Sequence, residues 1–302
     1  MPTRAYLAIE GYEDELKEEL GSGILSQHGR LIVADEPSRA PAWAQNTWLA
    51  PQELEIKSVG DGVKQLRALA PWWSLYSHRF HRRAQLLQEQ LPRVKNPPLE
   101  FLAPLPSRAL GSWTLIAPDR ILASPQCTSL IPNGEIVFNE DKTEPPSRAY
   151  LKLWELFTVY GVRPKAGDKC IDLGATPGGW TWVLAKVGCK VLAVDRAPLA
   201  DSVAAMPNVE FMQRNAFTLK PEDVGELDWL FSDIICFPEQ LEELVQTWRA
   251  SGLVKNFVCT IKFKGETDHA ITSKFASIPG ARVQHLCHNK HEITWWLTNE
   301  TR

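Results

Sequence analysis

The run Asp172-Leu-Gly-Ala-Thr-Pro-Gly-Gly-Trp180 constrains the fold more than any other part of the chain. It begins inside the apolar stretch Lys169-Cys-Ile-Asp-Leu173, which reads as a strand. It runs into Trp180 to Val187, which reads as a helix. A second strand, Lys190-Val-Leu-Ala-Val-Asp195, ends on an acid. Strand, glycine-rich turn, helix and acid-terminated strand are the parts of a nucleotide-type binding unit. The turn lets backbone approach a ligand, and the acid can accept hydrogen bonds from ribose hydroxyls. Further strands are expected at residues 227–233, 257–262 and 292–297, with a helix over residues 151–160. Strands alternating with helices predict an α/β fold with a doubly wound, mostly parallel sheet.

Three ligand classes compete for this turn. A dinucleotide fingerprint needs a second glycine two residues after Gly174, and Thr176 stands there. A phosphate-cradling loop needs a Lys directly after Gly179, and Trp180 stands there. The remaining pattern, Asp172, Gly174 and Gly178, suits an adenosine without phosphates, for which S-adenosylmethionine is the common ligand. A tight strand-to-helix turn with no ligand is the bland alternative.

The N-terminal part reads differently. Ala5-Tyr-Leu-Ala-Ile9 is a strand candidate, and Glu13 to Leu20 a helix with acids in its first turn. Short β-like pieces broken by Pro and Gly follow. The polar stretch Asn139 to Glu144 and then Pro145-Pro146 mark a linker. We therefore expect an N-terminal α+β domain over residues 1–144 and a Rossmann-like domain over residues 145–302.

Beyond the glycine turn, Ser147-Arg-Ala-Tyr-Leu-Lys152-Leu, Phe231-Ser-Asp233, Thr260-Ile-Lys262 and His291-Glu292-Ile-Thr occur in that order. With Pro177-Gly-Gly-Trp180 they closely resemble the FtsJ-like 2′-O-ribose RNA methyltransferases, and within that family the RlmM branch, which methylates a cytidine ribose of bacterial large-subunit rRNA. That branch shares a start like Tyr6-Leu-Ala-Ile-Glu-Gly-Tyr-Glu13. The strong resemblance covers residues 145–302. It implies an S-adenosylmethionine-dependent methyltransferase acting on ribosomal RNA, and a reduced THUMP-like RNA-docking module over residues 1–144. The family's Lys-Asp-Lys-Glu tetrad falls on Lys152, Asp233, Lys262 and Glu292. Its cofactor positions fall on Asp172, Gly174, Thr176, Pro177, Gly178, Gly179, Trp180, Asp195, Asn215 and Asp233. Asn215 stands where the family usually has an acid near the adenine, and Asn can still donate and accept hydrogen bonds.

The implied chemistry needs such a set. A ribose 2′-hydroxyl is a weak nucleophile that must be held in line and deprotonated. Two ammoniums ~4 Å apart repel by about 4 kcal/mol at an effective dielectric of ~20, which helps one lysine to lose its proton. The two carboxylates pull the other way. Lys262, at the end of the apolar run Phe257 to Ile261, is the expected base. Lys152 and Glu292 would orient and tune it, and Asp233 would lie between it and the cofactor.

Charge sets a limit on the partner. The chain has 33 basic and 36 acidic residues, for a net charge of −3, so RNA contact must be a local patch and not a general coating. Candidates are Arg79, Arg82 and Arg83, read as sharing a helical face with His78, together with Arg148, Lys264 and Lys290. The tryptophans of residues 72–95 are read as core. His285, Cys287, His288 and His291 match no zinc spacing, so no metal is expected. No apolar run reaches the ~18 residues of a membrane helix, and six scattered cysteines fit a reduced, cytoplasmic protein. Methylation of a tRNA or cap ribose, or an RNA-binding assembly factor on a methyltransferase scaffold, stays open.

Overall fold

In the computed structural model, which describes residues 2–299, strand β1 (Thr3–Ala8) buries its last four residues and lies between antiparallel neighbours. The four-stranded sheet has the order β2 (Ile24–His28), β3 (Leu31–Asp35), β1, β4 (Ala44–Trp48). Helix α1 (Glu13–Leu20) carries Glu13, Asp14 and Glu15 in its first turn, where the helix dipole favours them, and buries Leu16 and Leu20. A second sheet has the order β5 (Gln52–Glu55), β8 (Arg120–Ser124), β7 (Gly111–Ala117), β6 (Trp73–Leu75). Helices α2 (Val59–Leu69) and α3 (His81–Gln88) supply Leu66 and Leu87 to the core that holds Trp73 and Trp113. Trp73 Nε1 donates to the carbonyls of Leu66 and Ala70, and Trp113 Nε1 to Gln88 Oε1. These indoles are structural, each burying a large apolar body with its polar edge satisfied.

One expectation is corrected here. Helix α3 begins at His81, and Phe80 before it is left-handed at φ 52°. His78 and Arg79 therefore lie in the preceding bend and do not share a helical face with Arg82 and Arg83.

The chain divides into compact units between Val137 and Phe138, so Pro145-Pro146 falls inside the second unit. That unit begins with α4 (Tyr150–Val159), buried on nearly every side. A seven-stranded sheet follows. In chain order its elements are β9 (Lys169–Leu173), α5 (Gly179–Lys186), β10 (Lys190–Asp195), α6 (Asp201–Ala204), β11 (Val209–Gln213), β12 (Leu227–Ser232), α7 (Pro238–Ala250), β13 (Val254–Lys262), α8 (His269–Ser277), β14 (Ala281–Gln284) and β15 (Glu292–Leu297). The strand order is β11-β10-β9-β12-β13-β15-β14. The first five strands are parallel; β15 runs antiparallel to both β13 and β14. This is a Rossmann-like α/β domain with a mostly parallel sheet.

The single reversal matters for the site. Because β15 is antiparallel to β13, its first residue meets the last residue of β13, and Glu292 pairs in register with Lys262. Two tetrad members thus reach the carboxyl edge of the sheet, where open α/β sheets bind ligands. No described helix is long and apolar enough to cross a membrane.

Candidate functional site

The glycine-rich turn is shaped by two positive φ angles, Gly174 at +79° and Gly178 at +113°, which L side chains rarely adopt. Gly178 is the N-cap of α5. At Gly179, a Cβ would stand 2.5 Å from Ser147 Oγ, so a side chain there would force that hydroxyl to move. Trp180 is buried and donates from Nε1 to the Ala149 carbonyl at 3.0 Å, tying α5 to the start of α4.

A cleft of about 540 Å³ opens at this edge, within the range of small-ligand sites. Asp172, Gly174, Thr176, Pro177, Gly179 and Trp180 form one wall. Asp195, Asn215 and Phe217 line the far end; Asp233, Ile234 and Lys262 line the near end. Gly178 shapes the turn without lining the cleft. Asp195 bridges two turns: Oδ2 accepts from Thr176 N–H at 3.0 Å and Oδ1 from Ala197 N–H at 3.2 Å. Asn215 Oδ1 accepts from Phe217 N–H, which holds the backbone of the exposed Phe217 beside the cleft.

Asp172 is fully buried. Its Oδ2 accepts from Thr181 Oγ1 at 2.7 Å, and Oδ1 is buried without a hydrogen-bond partner. Burial raises the Asp172 carboxyl to about 7; the Thr181 hydrogen bond opposes this and the Asp233 charge adds to it.

Behind the near end, four separated residues close a ring. Lys152 Nζ donates to Asp233 Oδ1 and Oδ2, both at 2.7 Å, and to Glu292 Oε1 at 2.9 Å. Lys262 Nζ lies 2.9 Å from Asp233 Oδ1 and 3.7 Å from Glu292 Oε2. Lys152 and Glu292 are buried behind the cleft, whereas Asp233 and Lys262 face it. Burial alone would raise the Asp233 carboxyl, but the Lys152 and Lys262 ammoniums outweigh it and hold the group below the usual carboxylate range.

Residues 145–289 match the model of the FtsJ-like methyltransferases. That match lies wholly within the second unit. Among curated proteins, the chain is 34% identical over 169 residues to the ribosomal RNA large subunit methyltransferase M of Thauera aminoaromatica, covering 51% of this chain and 46% of that one. It is 29% identical over 250 residues to the protein of the same name from Idiomarina loihiensis, covering 77% and 64%. The chain thus spans about half the length of the first of these relatives.

The second unit brings together all four residues expected in the tetrad and nearly all of the expected cleft residues. The basic candidates are scattered. Arg148 is exposed and paired with Glu140 at 2.8 Å. Lys264 and Lys290 are exposed at loops after β13 and before β15. In the N-terminal unit, Arg79 and Arg82 are exposed while Arg83 is partly covered. The histidines diverge: His285 Nε2 bonds the Lys290 carbonyl, His288 Nδ1 bonds Glu155 and His291 Nε2 bonds Thr267. Among the described residues no group of three metal-ligating side chains converges.

Sequence reasoning missed Glu155. It is buried on α4, one turn beyond Lys152, and accepts from Cys287 N–H at 2.9 Å, His288 N–H at 3.3 Å and His288 Nδ1 at 2.8 Å. It thereby anchors the loop that delivers Glu292 to the helix that delivers Lys152. The only signal was the i, i+3 spacing of Lys152 and Glu155, which places both on one helix face. Ile234, Ile235, Phe217 and Gln240 at the cleft were also missed, since apolar and amide residues after strands carry no distinctive pattern.

Proposed function

We propose that this chain methylates the 2′-hydroxyl of an RNA ribose, with S-adenosylmethionine as methyl donor and large-subunit ribosomal RNA as substrate. The observation that carries the reading is the closed ring of Lys152, Asp233, Lys262 and Glu292 at the near end of a nucleoside-sized cleft beside an FtsJ-like sequence match.

The cleft fits that donor. Asp172 Oδ1 offers a buried, unpartnered acceptor to a cationic ligand. Asp195 and Asn215 offer polar groups at the far end, and Phe217 an apolar face. No lysine follows the glycine turn to balance a phosphate chain. When bound, the sulfonium supplies an activated methyl group, so the protein's task is to hold and deprotonate the acceptor.

The ring divides that task. An ammonium has three donors, and Lys152 spends all three on Asp233 and Glu292. It is thus fixed in place and neutralises much of the carboxylate charge beside Lys262. Lys262 makes two carboxylate contacts, one of them long, and faces the cleft. In its neutral form it accepts the hydroxyl proton on Nζ. Asp233 and Glu292 then stabilise the ammonium that results.

The N-terminal unit, over residues 1–137, serves on this reading to dock the RNA. Arg79, Arg82 and Arg83, together with Arg148 and Lys290 of the second unit, are the proposed phosphate contacts. The decisive experiment maps 2′-O-methyl sites in total RNA with and without this chain, complementing with the parent and with Lys262→Ala. One large-subunit site should vanish on deletion and return only with the parent. An unchanged map, or full rescue by Lys262→Ala with cofactor binding intact, overturns the reading.

A further inference from the structure

Phe237 and Lys264 stand together just outside the cleft. Phe237 lies on the loop after Asp233 and precedes α7; Lys264 lies just beyond Lys262. Strands β12 and β13 are parallel neighbours, so both loops leave the same edge of the sheet. There Lys264 Nζ sits 4.4 Å from the centre of the Phe237 ring, well inside cation–π range. The ring is 54% exposed, and Ile235 on the same loop is 76% exposed. The loop is nevertheless anchored: Phe237 N–H donates to Gln240 Oε1 at 3.3 Å, and Cys236 is buried. Ile235 and Gln240, either side of Phe237, line the cleft, and Lys264 follows the cleft residue Lys262 by two positions, which sets the pair beside the cleft on the side of Asp233 and Lys262.

We propose that Phe237, braced by Lys264, is a stacking platform for a base of the acceptor RNA strand at the methylated ribose. The proposal rests on the reading of this chain as an RNA ribose methyltransferase. A nucleotide presents a flat π face and a phosphate close together, and an exposed ring beside an ammonium complements both. A plain apolar contact with a protein would not call for the charge. Stacking tolerates every base, so the platform sets position and not base identity. The 2′-hydroxyl belongs to the same short segment as the stacked base, and holding one narrows the motion of the other towards Lys262.

The test uses the full chain and ribosomal RNA from a strain lacking it. Phe237→Ala is expected to raise KM for RNA about tenfold, about 1.4 kcal/mol, while kcat and the calorimetric Kd for S-adenosylmethionine stay at parental values. Phe237→Leu should behave like Phe237→Ala, because it keeps apolar bulk and loses the π face; Phe237→Trp should restore KM. Lys264→Ala should reduce the slope of log KM against log salt by about one contact. Parental KM in Phe237→Ala and Phe237→Leu overturns the platform and leaves the methyltransferase reading standing. A parent that methylates no RNA but binds it with Phe237-dependent affinity overturns that reading and keeps the platform. A parental dimer that Phe237→Ala dissociates, with RNA affinity unchanged, assigns the patch to self-association and overturns the platform.

Discussion

Lys152 and Lys262 meet on one atom: Oδ1 of Asp233 accepts from Lys152 Nζ at 2.7 Å and lies 2.9 Å from Lys262 Nζ. Residues 81 positions apart in sequence on one side, and on neighbouring strand ends on the other, thus share a single lone-pair-bearing oxygen. The two lysines are not equivalent. Lys152 sits behind the carboxylates and completes them; Lys262 faces the cleft with room for an acceptor.

Lys152→Ala should therefore cost both stability and turnover. Removing one partner of a buried ion pair typically costs about 3–5 kcal/mol, because the charge left behind has lost its compensation. Thermal denaturation should show a clear fall in Tm, and methyl incorporation a drop of about 100-fold or more. The acid limb should change too. Asp233 is held below its ordinary range, so its contribution is present above the unfolded carboxylate range and is lost as pH falls through the folded value. In Lys152→Ala that loss should begin at a higher pH. An unaltered acid melting profile would remove Lys152 as the group that holds Asp233 ionised.

Arg82 and Arg83 test the proposed RNA contact of the N-terminal unit. Both lie in the first turn of α3, with Arg79 just before it. Reversing both to Glu should weaken RNA binding about tenfold and flatten its salt dependence by roughly two phosphate contacts. Cofactor affinity should not move. Filter binding at three salt concentrations reads this, and parallel salt slopes for parent and variant would discard the patch.

The parts of this architecture that were legible in the sequence are those where backbone geometry and chemistry coincide. Gly174 and Gly178 occupy backbone conformations other residues avoid, and Asp172, Asp195 and Lys262 sit at or next to strand ends, where a charge visibly interrupts an apolar run. The tetrad needed the resemblance as well, because Lys152 and Glu292 taken singly look like any charged surface residue. What stayed hidden depends on tertiary packing. Glu155 reads as one more helical acid until the loop at 285–288 folds onto it. The start of α3 was misjudged because Phe80, neither Gly nor Asn, adopts a left-handed conformation that its residue type does not announce.

Glu155 should prove a positioning residue. Glu155→Ala leaves the half-buried backbone N–H groups of Cys287 and His288 without the carboxylate that now accepts from them, a cost of about 1 kcal/mol each, since water can partly replace it. The loop before β15 should loosen, and Glu292 with it. The expected signature is a fall in kcat of about tenfold with little change in cofactor Kd, together with faster amide exchange confined to residues 285–291. Glu155→Gln keeps one carbonyl acceptor and should recover part of kcat. Amide exchange at 285–291 equal to that of the parent would separate Glu155 from the placement of Glu292.

Asp172 gives the clearest pH prediction, because its protonation and the proposed ligand's charge pull against each other. Burial lifts its carboxyl to about 7, so in the empty domain the group is largely protonated at pH 6 and largely ionised at pH 8. Its folded value lies above the unfolded one, so its contribution to stability is fully present below the unfolded carboxylate range and is lost as pH rises towards about 7. That is the opposite sense to Asp233. A cationic ligand reverses the preference, since a buried carboxylate facing a positive charge is stabilised in its ionised form. If only the ionised form binds, a group titrating at about 7 makes S-adenosylmethionine affinity about tenfold weaker at pH 6 than at pH 8. Calorimetry at those two pH values should show this difference, with net proton release on binding at pH 6. Asp172→Asn, isosteric and unable to ionise, should bind weakly at both values with no pH dependence from this site. A parental affinity that is flat across the range would mean that Asp172 does not meet the cofactor's positive charge.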